Sequence, residues 1–343
     1  MKSETHFKGW AKPGPVPPGL GASCEASANY SLSSPGGGEG RGEEAQLFPV
    51  QIPSPQPSPR LGGEREEKPL SPSAPLVVAA HETLDAISGH FRLFQLRDGH
   101  RFSTDDILTA WYGTTWCPTA RTALDLGSGI GTVGMICAWR LPGARFVTVE
   151  AQSESVALAR KSARYNGLTD RYEIREGDFR DATDGRADLP VRQNVLHADE
   201  KFDLITGSPP YFPLGAGVES EHPQKLACRF ELRGTVADYC ATAAKHLAAG
   251  GFFACVFPND PAQLARVVAG AAAAGLVIVR KRPVVFREGE RPLVALFGMM
   301  RAEDLPEWFR GQTWTEPELI IRARDGKIHP EYSAVKLAIG FPP

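Results

Sequence analysis

The chain has 343 residues and a formal net charge of −2, with 38 Lys and Arg residues against 40 Asp and Glu residues. This length supports one large domain or two small ones. The near balance of charges excludes a globally basic nucleic-acid-binding protein and leaves only a local basic patch as a route to such a partner.

The first 75 residues differ in composition from the rest of the chain. They hold 13 of the 29 prolines, and neither Gly36–Gly38 nor the Ser-Pro run at Pro53–Pro59 shows apolar periodicity. Such a segment buries too little apolar surface to offset its ordering entropy. We therefore predict a disordered tail over 1–75 and one folded domain over 76–343. A functional tail, or an extension upstream of the true start, remains open.

From Leu76 onward, strand-like and helix-like patterns alternate, which indicates a mostly parallel sheet. Gly250 and Gly251 are predicted to end the third of four central helices. The last two strands are joined by so few residues that an antiparallel hairpin is favoured. The predicted strands lie near 122–126, 145–149, 172–175, 202–206, 251–257, 276–286 and 293–300, and the predicted helices near 131–140, 153–166, 235–248 and 260–274.

A glycine-rich turn follows the first of these strands. Gly127, Gly129 and Gly131 permit a tight turn and let a ligand approach the backbone closely. The second strand ends in Glu150, about twenty residues further on, where nucleotide-binding βαβ units place an acid on the ribose hydroxyls. Together these features predict a nucleotide-type ligand. A nicotinamide dinucleotide remains an alternative at this stage.

A second motif, Ser208-Pro209-Pro210-Tyr211, directly follows the fourth strand. The two prolines stiffen the backbone and offer no N–H donors. A serine hydroxyl and nearby carbonyls can therefore present acceptors to one small target, and Tyr211 adds a planar stacking face. This combination suits a flat substrate with an exocyclic amino group, such as adenine, cytosine or a carboxamide. A dinucleotide site offers no explanation for this motif.

The pair of motifs resembles class I S-adenosylmethionine-dependent methyltransferases that act on amino groups. The resemblance implies a Rossmann-like α/β fold with a seven-stranded, mostly parallel sheet and a C-terminal antiparallel hairpin, and S-adenosylmethionine as cofactor. It also implies that Ser208 and the Pro209 carbonyl orient the target amino group beside Pro210, and that Tyr211 stacks on the base. The implied cofactor residues are Asp125, Gly127, Gly129 and Gly131 at the methionine end, Glu150 at the ribose, Asp178 at the adenine, and Thr104 and Asp105 over the methionine end.

Thr104 and Asp105 carry an alternative interpretation, because Ser-Thr-Asp-Asp before an apolar run is also a good helix N-terminus. Asp178 could likewise be a simple turn residue.

Further segments resemble the bacterial tRNA1(Val) N6-adenine methyltransferase family, which modifies the adenine beside the anticodon. They are Gly99–Leu108, His222–Glu231 and Pro330–Ser333, and the likeness covers about residues 80–343. It implies tRNA as the partner. The family usually carries Asn where this chain has Ser208, and Ser-Pro-Pro-aromatic is similar to the motif of N4-cytosine DNA methyltransferases. The target base therefore stays open between adenine and cytosine.

Three rival functions remain. A protein glutamine methyltransferase of the release-factor type would present the same N–H geometry, but that family usually has a helical N-terminal substrate domain. Another rRNA or DNA amino-methyltransferase is a second rival. The third is a non-catalytic module that binds cofactor or RNA, with Ser208 reflecting lost activity.

Partner and location follow from weaker signals. No cysteine or histidine spacing indicates a metal site, and without an apolar span or signal peptide we expect a cytoplasmic protein with no membrane contact. The sequence leaves the oligomeric state open and is compatible with a monomer. Three basic groups are candidates for RNA phosphates: Lys225, Arg229 and Arg233; Arg280, Lys281, Arg282, Arg287 and Arg291; and Arg322, Arg324 and Lys327.

Overall fold

The computed structural model describes residues 76–180, 195–213 and 234–341, together with residues 6–7, 10–11, 224, 228 and 230–232. Near the N-terminus, strand β1 (His6–Phe7) pairs antiparallel with β2 (Trp10–Ala11). The rest of the predicted disordered tail lies outside the described residues. The domain boundary at residue 76 stays a prediction.

The described part of the main domain begins with two elements that precede the predicted strands. Strand β3 (Glu82–Ser88) pairs antiparallel with β4 (Phe91–Leu96) in a hairpin. Helix α1 (Thr104–Trp116) follows, and the Asp106 carboxylate accepts a hydrogen bond of 2.9 Å from the Ser103 backbone N–H in a capping box. This cap satisfies a backbone donor that the first helical turn leaves free. The N-terminus of α1 is thereby fixed at Ser103.

Nine strands form the central sheet, in the order β12-β10-β11-β9-β8-β5-β6-β7, with β13 alongside β10. All seven predicted strands are present, and β10 and β11 form the predicted antiparallel hairpin. Two short strands, which the sequence analysis did not predict, add parallel pairing to the β10 edge. The strands are β5 (Thr122–Leu126), β6 (Arg145–Glu150), β7 (Tyr172–Glu176), β8 (Phe202–Gly207), β9 (Leu247–Pro258), β10 (Leu276–Arg287), β11 (Val294–Arg301), β12 (Trp314–Thr315) and β13 (Leu319–Arg322).

Helices cover both faces of this sheet. Successive residues of a strand face opposite sides of the sheet. Leu204 packs in the core on the side of α1, and the next residue, Ile205, packs in the core on the side of the helices Val236–His246 and Pro261–Ala273. The result is a three-layer α/β arrangement of the Rossmann type, as predicted. The remaining helices are α2 (Thr132–Arg140), α3 (Ser153–Tyr165), α4 (Val236–His246), α5 (Pro261–Ala273) and α6 (Pro330–Ala338).

One predicted helix end is wrong. Helix α4 ends at His246, and Leu247 already has the extended backbone of β9. Gly250, in the left-handed region at φ 69°, lies within β9 rather than at a helix cap. There the pairing with β8 shifts register, since Phe202 lies opposite Leu247 while Leu204 lies opposite Phe252. The two glycines therefore accommodate an irregularity in the strand.

The adjacency of β5 and β8 positions the two sequence motifs. These strands are parallel neighbours, and Leu126 lies opposite Gly207 in the register. The glycine turn starts directly after Leu126, and Ser208 directly after Gly207, so both motifs emerge side by side at the carboxyl edge of the sheet. Ligands of open α/β sheets bind at this edge.

Among the residues that the structure describes, no helix is long and apolar enough to cross a bilayer.

Candidate active site

A cavity of about 480 Å³ opens at the carboxyl edge of β5, β6 and β8. Ten of the twelve residues predicted from the sequence line it. Thr104, the first residue of α1, and Gly131, which precedes α2, are not among the lining residues. The predicted residues that line the cavity are Asp105, Asp125, Gly127, Gly129, Glu150, Asp178, Ser208, Pro209, Pro210 and Tyr211.

The glycine turn has the backbone that its sequence requires. Gly127, Gly129 and Gly131 all have positive φ, at 59°, 54° and 91°, a region that side chains other than glycine rarely adopt. A Cβ at Gly127 would collide with the hydroxyl of Tyr239, whereas a Cβ at Gly129 would meet no atom within 4 Å. Gly129 therefore faces open space in the cavity, while Gly131 serves the turn itself as the N-cap of α2.

Glu150 is buried at the end of β6, and backbone N–H groups hold both of its carboxylate oxygens. Gly129 donates to Oε2 at 2.8 Å, and Gln152 donates to Oε1 at 2.7 Å. A carboxylate oxygen can accept more than one hydrogen bond. The carboxylate is thus fixed in orientation. Its oxygens can still accept further hydrogen bonds from a ligand in the cavity that Glu150 lines.

Asp125 serves mainly to connect elements of the fold. Its Oδ1 accepts a hydrogen bond of 2.7 Å from the Thr206 hydroxyl of β8, and its Oδ2 accepts one of 3.1 Å from the Gly134 N–H of α2. Burial raises the pKa of this carboxyl to about 7, although the two hydrogen bonds act in the opposite direction. The predicted contact with a ligand remains a prediction, because both oxygens already have partners.

Asp178 follows β7 and lines the cavity, but Arg180 binds it closely. The Arg180 Nε lies 3.0 Å from Oδ1 and 3.1 Å from Oδ2, and its Nη2 lies 2.5 Å from Oδ2. This two-pronged pair holds the carboxylate in one orientation. A contact between Asp178 and an adenine amino group would have to share acceptors with Arg180.

The Ser208 hydroxyl is one of the buried polar groups that lack a hydrogen-bond partner within the described protein. Its Oγ is buried and has no hydrogen-bond partner among the described residues. The Ser128 hydroxyl, on the glycine turn, is in the same state, and both residues line the cavity. A buried hydroxyl without a partner costs about 1–3 kcal/mol. Both residues line the cavity, so a polar ligand bound there would supply the missing bonds once each hydroxyl turns toward it.

Tyr211 is held at its hydroxyl and along its ring. The hydroxyl donates a hydrogen bond of 2.6 Å to Asp105 Oδ2 in the first turn of α1. The ring meets Phe257 of β9 edge to face, with centroids 5.6 Å apart and planes at 88°. Burial raises the pKa of Asp105 to about 6; the hydrogen bond from Tyr211 lowers it, and the neighbouring Asp106 raises it further. Asp105 therefore binds Tyr211 of the second motif as well as lining the cavity.

The sequence analysis missed two lining residues with clear structural roles. Phe212, 45% exposed, extends the aromatic wall beyond Tyr211 and packs against Phe230 with ring centroids 6.1 Å apart. Its adjacency to the motif was the available signal. Asp106 lines the cavity from the helix cap, and burial raises its pKa to about 6. The capping-box pattern placed this residue at a helix start but not at a cavity.

The structure separates the three basic groups of the sequence analysis. Arg280 is sandwiched between Trp116 and Trp314, with its guanidinium 3.2 Å and 4.3 Å from the ring centroids, and it pairs with Glu316 at 3.1 Å. Arg282 faces the same carboxylate at 3.9 Å. These two arginines are therefore engaged in the fold. Lys225, Arg229 and Arg233 lie outside the described residues.

Lys281 lies within β10, opposite Thr315 of β12. The other five basic residues meet at the carboxyl edge of the sheet. Arg287 ends β10 and Arg322 ends β13, and the two residues are paired in register. Arg291 lies in the β10–β11 turn, and both Arg287 and Arg291 are exposed. Neither of these two side chains forms an ion pair with another described residue. Arg324 and Lys327, in the turn after β13, are 79% and 84% exposed. The sequence had placed these residues in two separate groups.

The cavity fits a nucleoside bearing a positively charged end. Glu150 offers oriented acceptors for ribose hydroxyls, and the open face at Gly129 lets a ligand reach the backbone. Asp105 and Asp106 bring two carboxyl groups to the same cavity. Carboxylates stabilise a nearby positive charge. The donor set therefore suits S-adenosylmethionine: Glu150 could bind the ribose, and Asp105 and Asp106, in the first turn of α1, could face the charged end.

Comparisons with known proteins agree with this interpretation. Residues 114–213 match the family model of the methyltransferase small domain. Over 163 residues the chain is 27% identical to proteins named tRNA1(Val) (adenine(37)-N6)-methyltransferase from Shigella dysenteriae serotype 1 and from Escherichia coli O9:H4. The alignment covers 47% of this chain and 59% of each relative. The chain thus spans less than two thirds of the length of the curated relatives that it matches.

Solved structures include neighbours of low identity. A predicted O-methyltransferase from Agrobacterium tumefaciens is 20% identical, with a TM-score of 0.48, and the match covers 69% of this chain and 98% of that one. A methyltransferase from Pyrococcus furiosus is 16% identical, with a TM-score of 0.41, and the match covers 61% of this chain and 88% of that one. The family match and the cavity together confirm the predicted methyltransferase class, for which S-adenosylmethionine is the implied methyl donor. Residues 114–213 of the chain are similar to the methyltransferase small domain, and 163 residues are similar to proteins named as tRNA adenine-N6 methyltransferases.

Proposed function

We propose that this protein methylates an exocyclic amino nitrogen, namely N6 of an adenine in tRNA. The observation that carries the proposal is the buried Ser208 hydroxyl, which lacks a partner among the described residues and belongs to a residue that lines the same cavity as Glu150. When bound, S-adenosylmethionine would supply an electrophilic methyl group on its sulfonium. The residues that follow β8 would hold the acceptor nitrogen.

Ser208 and the carbonyl of Pro209 would each accept one N–H bond of the target amino group. The lone pair of that nitrogen is delocalised into the aromatic ring, so the nitrogen is a weak nucleophile. Two fixed acceptors draw it toward tetrahedral geometry, and their bonds strengthen as positive charge develops on the nitrogen. The proton leaves the methylated nitrogen readily afterwards. No strong general base is therefore required before the transfer.

Tyr211 would supply the stacking face for the target base. Its hydroxyl is bound to Asp105 and its ring edge meets Phe257, so the ring keeps one orientation. Stacking of a base on an aromatic ring contributes about 1–3 kcal/mol. An adenine stacked within an RNA loop must first turn out into such a cavity. The exposed ring of Phe212 lies next to that entry.

The remaining predicted residues would bind the cofactor. Glu150 would accept the ribose hydroxyls, and Gly129 would let the cofactor approach the backbone. Asp178 would face the cofactor adenine while keeping its pair with Arg180. Asp125, Gly127 and Gly131 would shape the turn at the methionine end, with Thr104 and Asp105 on the α1 side.

An RNA substrate is supported by two findings. The curated relatives are named as tRNA methyltransferases, and five basic residues gather at the same sheet edge as the cavity. Glu288, Glu290 and Asp325 lie among them, which leaves a local excess of two positive charges (five cations less three anions). We infer that this edge contacts phosphates flanking the methylated base. A tRNA substrate would place the protein in the cytoplasm.

The test is an assay with labelled S-adenosylmethionine and two substrates, unmodified tRNA and unmodified peptide-chain release factor. We expect label in tRNA, and a large loss of label with both Ser208→Ala and Tyr211→Ala. Label in the release factor alone would favour glutamine methylation. Full activity of both variants on tRNA would reject the roles given to Ser208 and Tyr211. Binding of cofactor without turnover on any RNA pool would favour a non-catalytic module.

A further inference from the structure

Helix α5 reaches the second motif through one side chain. The Gln263 Nε2 donates a hydrogen bond of 3.1 Å to the backbone carbonyl of Tyr211. Gln263 lies in the first turn of α5, and Asp260 caps this helix. The Asp260 Oδ1 accepts hydrogen bonds from the backbone N–H groups of Ala262 and Gln263. The side chain of Gln263 is therefore not needed to start its own helix.

Two further residues hold Gln263 in this orientation. The Arg266 Nη1 donates a hydrogen bond of 2.8 Å to Gln263 Oε1, which assigns the amide so that its NH2 group points to Tyr211. Arg266 also pairs with the carboxylate of Glu231, whose side chain is 8% exposed. The Glu231 backbone N–H in turn donates 2.9 Å to the carbonyl of Phe212. Two consecutive carbonyls of the motif loop are thus bound by one connected set, Glu231, Gln263 and Arg266.

The chemistry of the loop explains why it needs outside donors. Pro209 and Pro210 have no N–H group, so they cannot contribute donors to a turn of their own. The carbonyls that follow them must find donors elsewhere. Here the donors come from α5 and from residue 231. Arg266 also lies over the ring of Phe257 at 5.7 Å, and Phe257 is the ring against which Tyr211 packs.

We propose that Gln263 is a positioning residue for methyl transfer, acting through the backbone of Tyr211. This inference rests on the proposed function. Gln263 and Asp105 hold Tyr211 from opposite ends, one at its carbonyl and the other at its hydroxyl. Together they fix the ring and, through it, the acceptors at Ser208 and Pro209. A displacement of about 1 Å at reacting atoms can cost about 100-fold in rate.

A purely structural role for Gln263 predicts a different outcome. Helix α5 buries Val267, Gly270 and Ala271 against the sheet and α4, and Gln263 is only half-buried. Removing its amide should therefore leave the packing of the helix intact. Glu150 and the glycine turn, which would bind the cofactor, follow β6 and β5, whereas Gln263 follows β9, so cofactor affinity should change much less than kcat.

The experiment compares Gln263→Ala and Gln263→Glu with the wild-type protein, using tRNA and labelled S-adenosylmethionine. Glutamate can still pair with Arg266 but cannot donate to the Tyr211 carbonyl, so this variant isolates the donor. We expect kcat to fall about 10- to 100-fold in both, while the cofactor Kd from calorimetry and the Tm stay close to wild type. Val268→Ala, a truncation at a 51% exposed position of the same helix, should leave all three values unchanged.

Wild-type kcat in both Gln263 variants would overturn the inference and leave the proposed function standing. Equal losses in kcat, cofactor affinity and Tm would also overturn it, because they would show a general role in the fold. If the wild-type protein methylates no tRNA, the proposed function fails first, and the inference fails with it.

Discussion

The hydroxyl of Tyr211 donates a hydrogen bond of 2.6 Å to the carboxylate of Asp105. These residues are 106 positions apart in the sequence, one after the fourth strand of the fold's parallel core and the other in the first turn of α1. Both residues line the cavity, as does Glu150. The bond joins the segment that precedes β5 to the loop that would hold the methyl acceptor.

The ionisation of Asp105 gives a prediction for stability. Burial raises its pKa from 3.8 to about 6, so between these values the folded protein binds a proton that the unfolded chain has released. The contribution of Asp105 to the free energy of unfolding is therefore greatest below about pH 4, and it is lost as the pH rises through about 6. Asp125 and Asp106 act with the same sign, through pKa values of about 7 and about 6.

Asp105→Asn removes that ionisation while its amide oxygen can still accept from Tyr211. We expect the unfolding free energy of the variant, relative to wild type, to increase between pH 4 and pH 7, by about 1–3 kcal/mol. Denaturant unfolding at a series of pH values measures this difference. A relative stability that decreases over the same range would show that the Asp105 pKa is lowered in the folded protein.

Ser208 gives a prediction for activity with an internal comparison. Ser208→Ala removes an acceptor and should lower kcat about 10- to 100-fold, the cost of leaving one buried amino N–H without a partner. Ser208→Asn supplies a carbonyl acceptor in its place and should retain more activity than the alanine variant. Single-turnover rates with unmodified tRNA distinguish them. Equal rates for serine and alanine would remove residue 208 from the mechanism.

Glu150 gives a prediction for cofactor binding. Glutamine has the same length, but its NH2 group would face one of the two backbone N–H donors that now bind the carboxylate. Glu150→Gln should therefore weaken S-adenosylmethionine binding about 10- to 100-fold in calorimetry. The control is Glu173→Gln on the neighbouring strand β7, where the side chain is 60% exposed. Unchanged affinity in Glu150→Gln would contradict the ribose contact.

The sequence predicted the elements whose pattern depends on local chemistry. Most of the seven main strands are rich in apolar residues between turn signals, and the glycine turn needs a backbone conformation that few other residues adopt, so the sequence locates both. The adjacency of β5 and β8 followed from the resemblance to a known fold. Nine of the ten predicted residues that line the cavity lie on these strands or directly after them, and the tenth, Asp105, lies in α1.

Other features depend on contacts between distant segments and left little trace in the sequence. The contact between Asp105 and Tyr211 is one example, because nothing near Asp105 in the chain indicates that Tyr211 would bind it. Gln263 has no motif at all. The two short strands beside β10 are too short for any periodicity, and yet one of them, β13, brings Arg322 opposite Arg287. Gly250 was placed at a helix end because a bulged strand and a helix cap both favour glycine.

The basic edge gives a prediction for RNA affinity. The double substitution Arg287→Glu, Arg291→Glu should raise the Kd for tRNA about tenfold or more and reduce the salt dependence of binding, because fewer counterions are released. Arg145→Glu is the matched control, since Arg145 is exposed at the opposite edge of the sheet, where β6 begins. If the substitutions at the two edges raised the Kd for tRNA equally, RNA would not contact the carboxyl edge, on which the cavity lies, preferentially.

The most direct test is mass spectrometry of nucleosides from unmodified tRNA after incubation with the protein and isotopically labelled S-adenosylmethionine. The account predicts a single labelled product, N6-methyladenosine, that is strongly reduced with Ser208→Ala. Labelled N4-methylcytidine would keep the amino-group mechanism and correct the base. Label on a ring nitrogen or a ribose oxygen, or no label in RNA while the cofactor binds, would contradict the claim that Ser208 orients an exocyclic amino group for methylation.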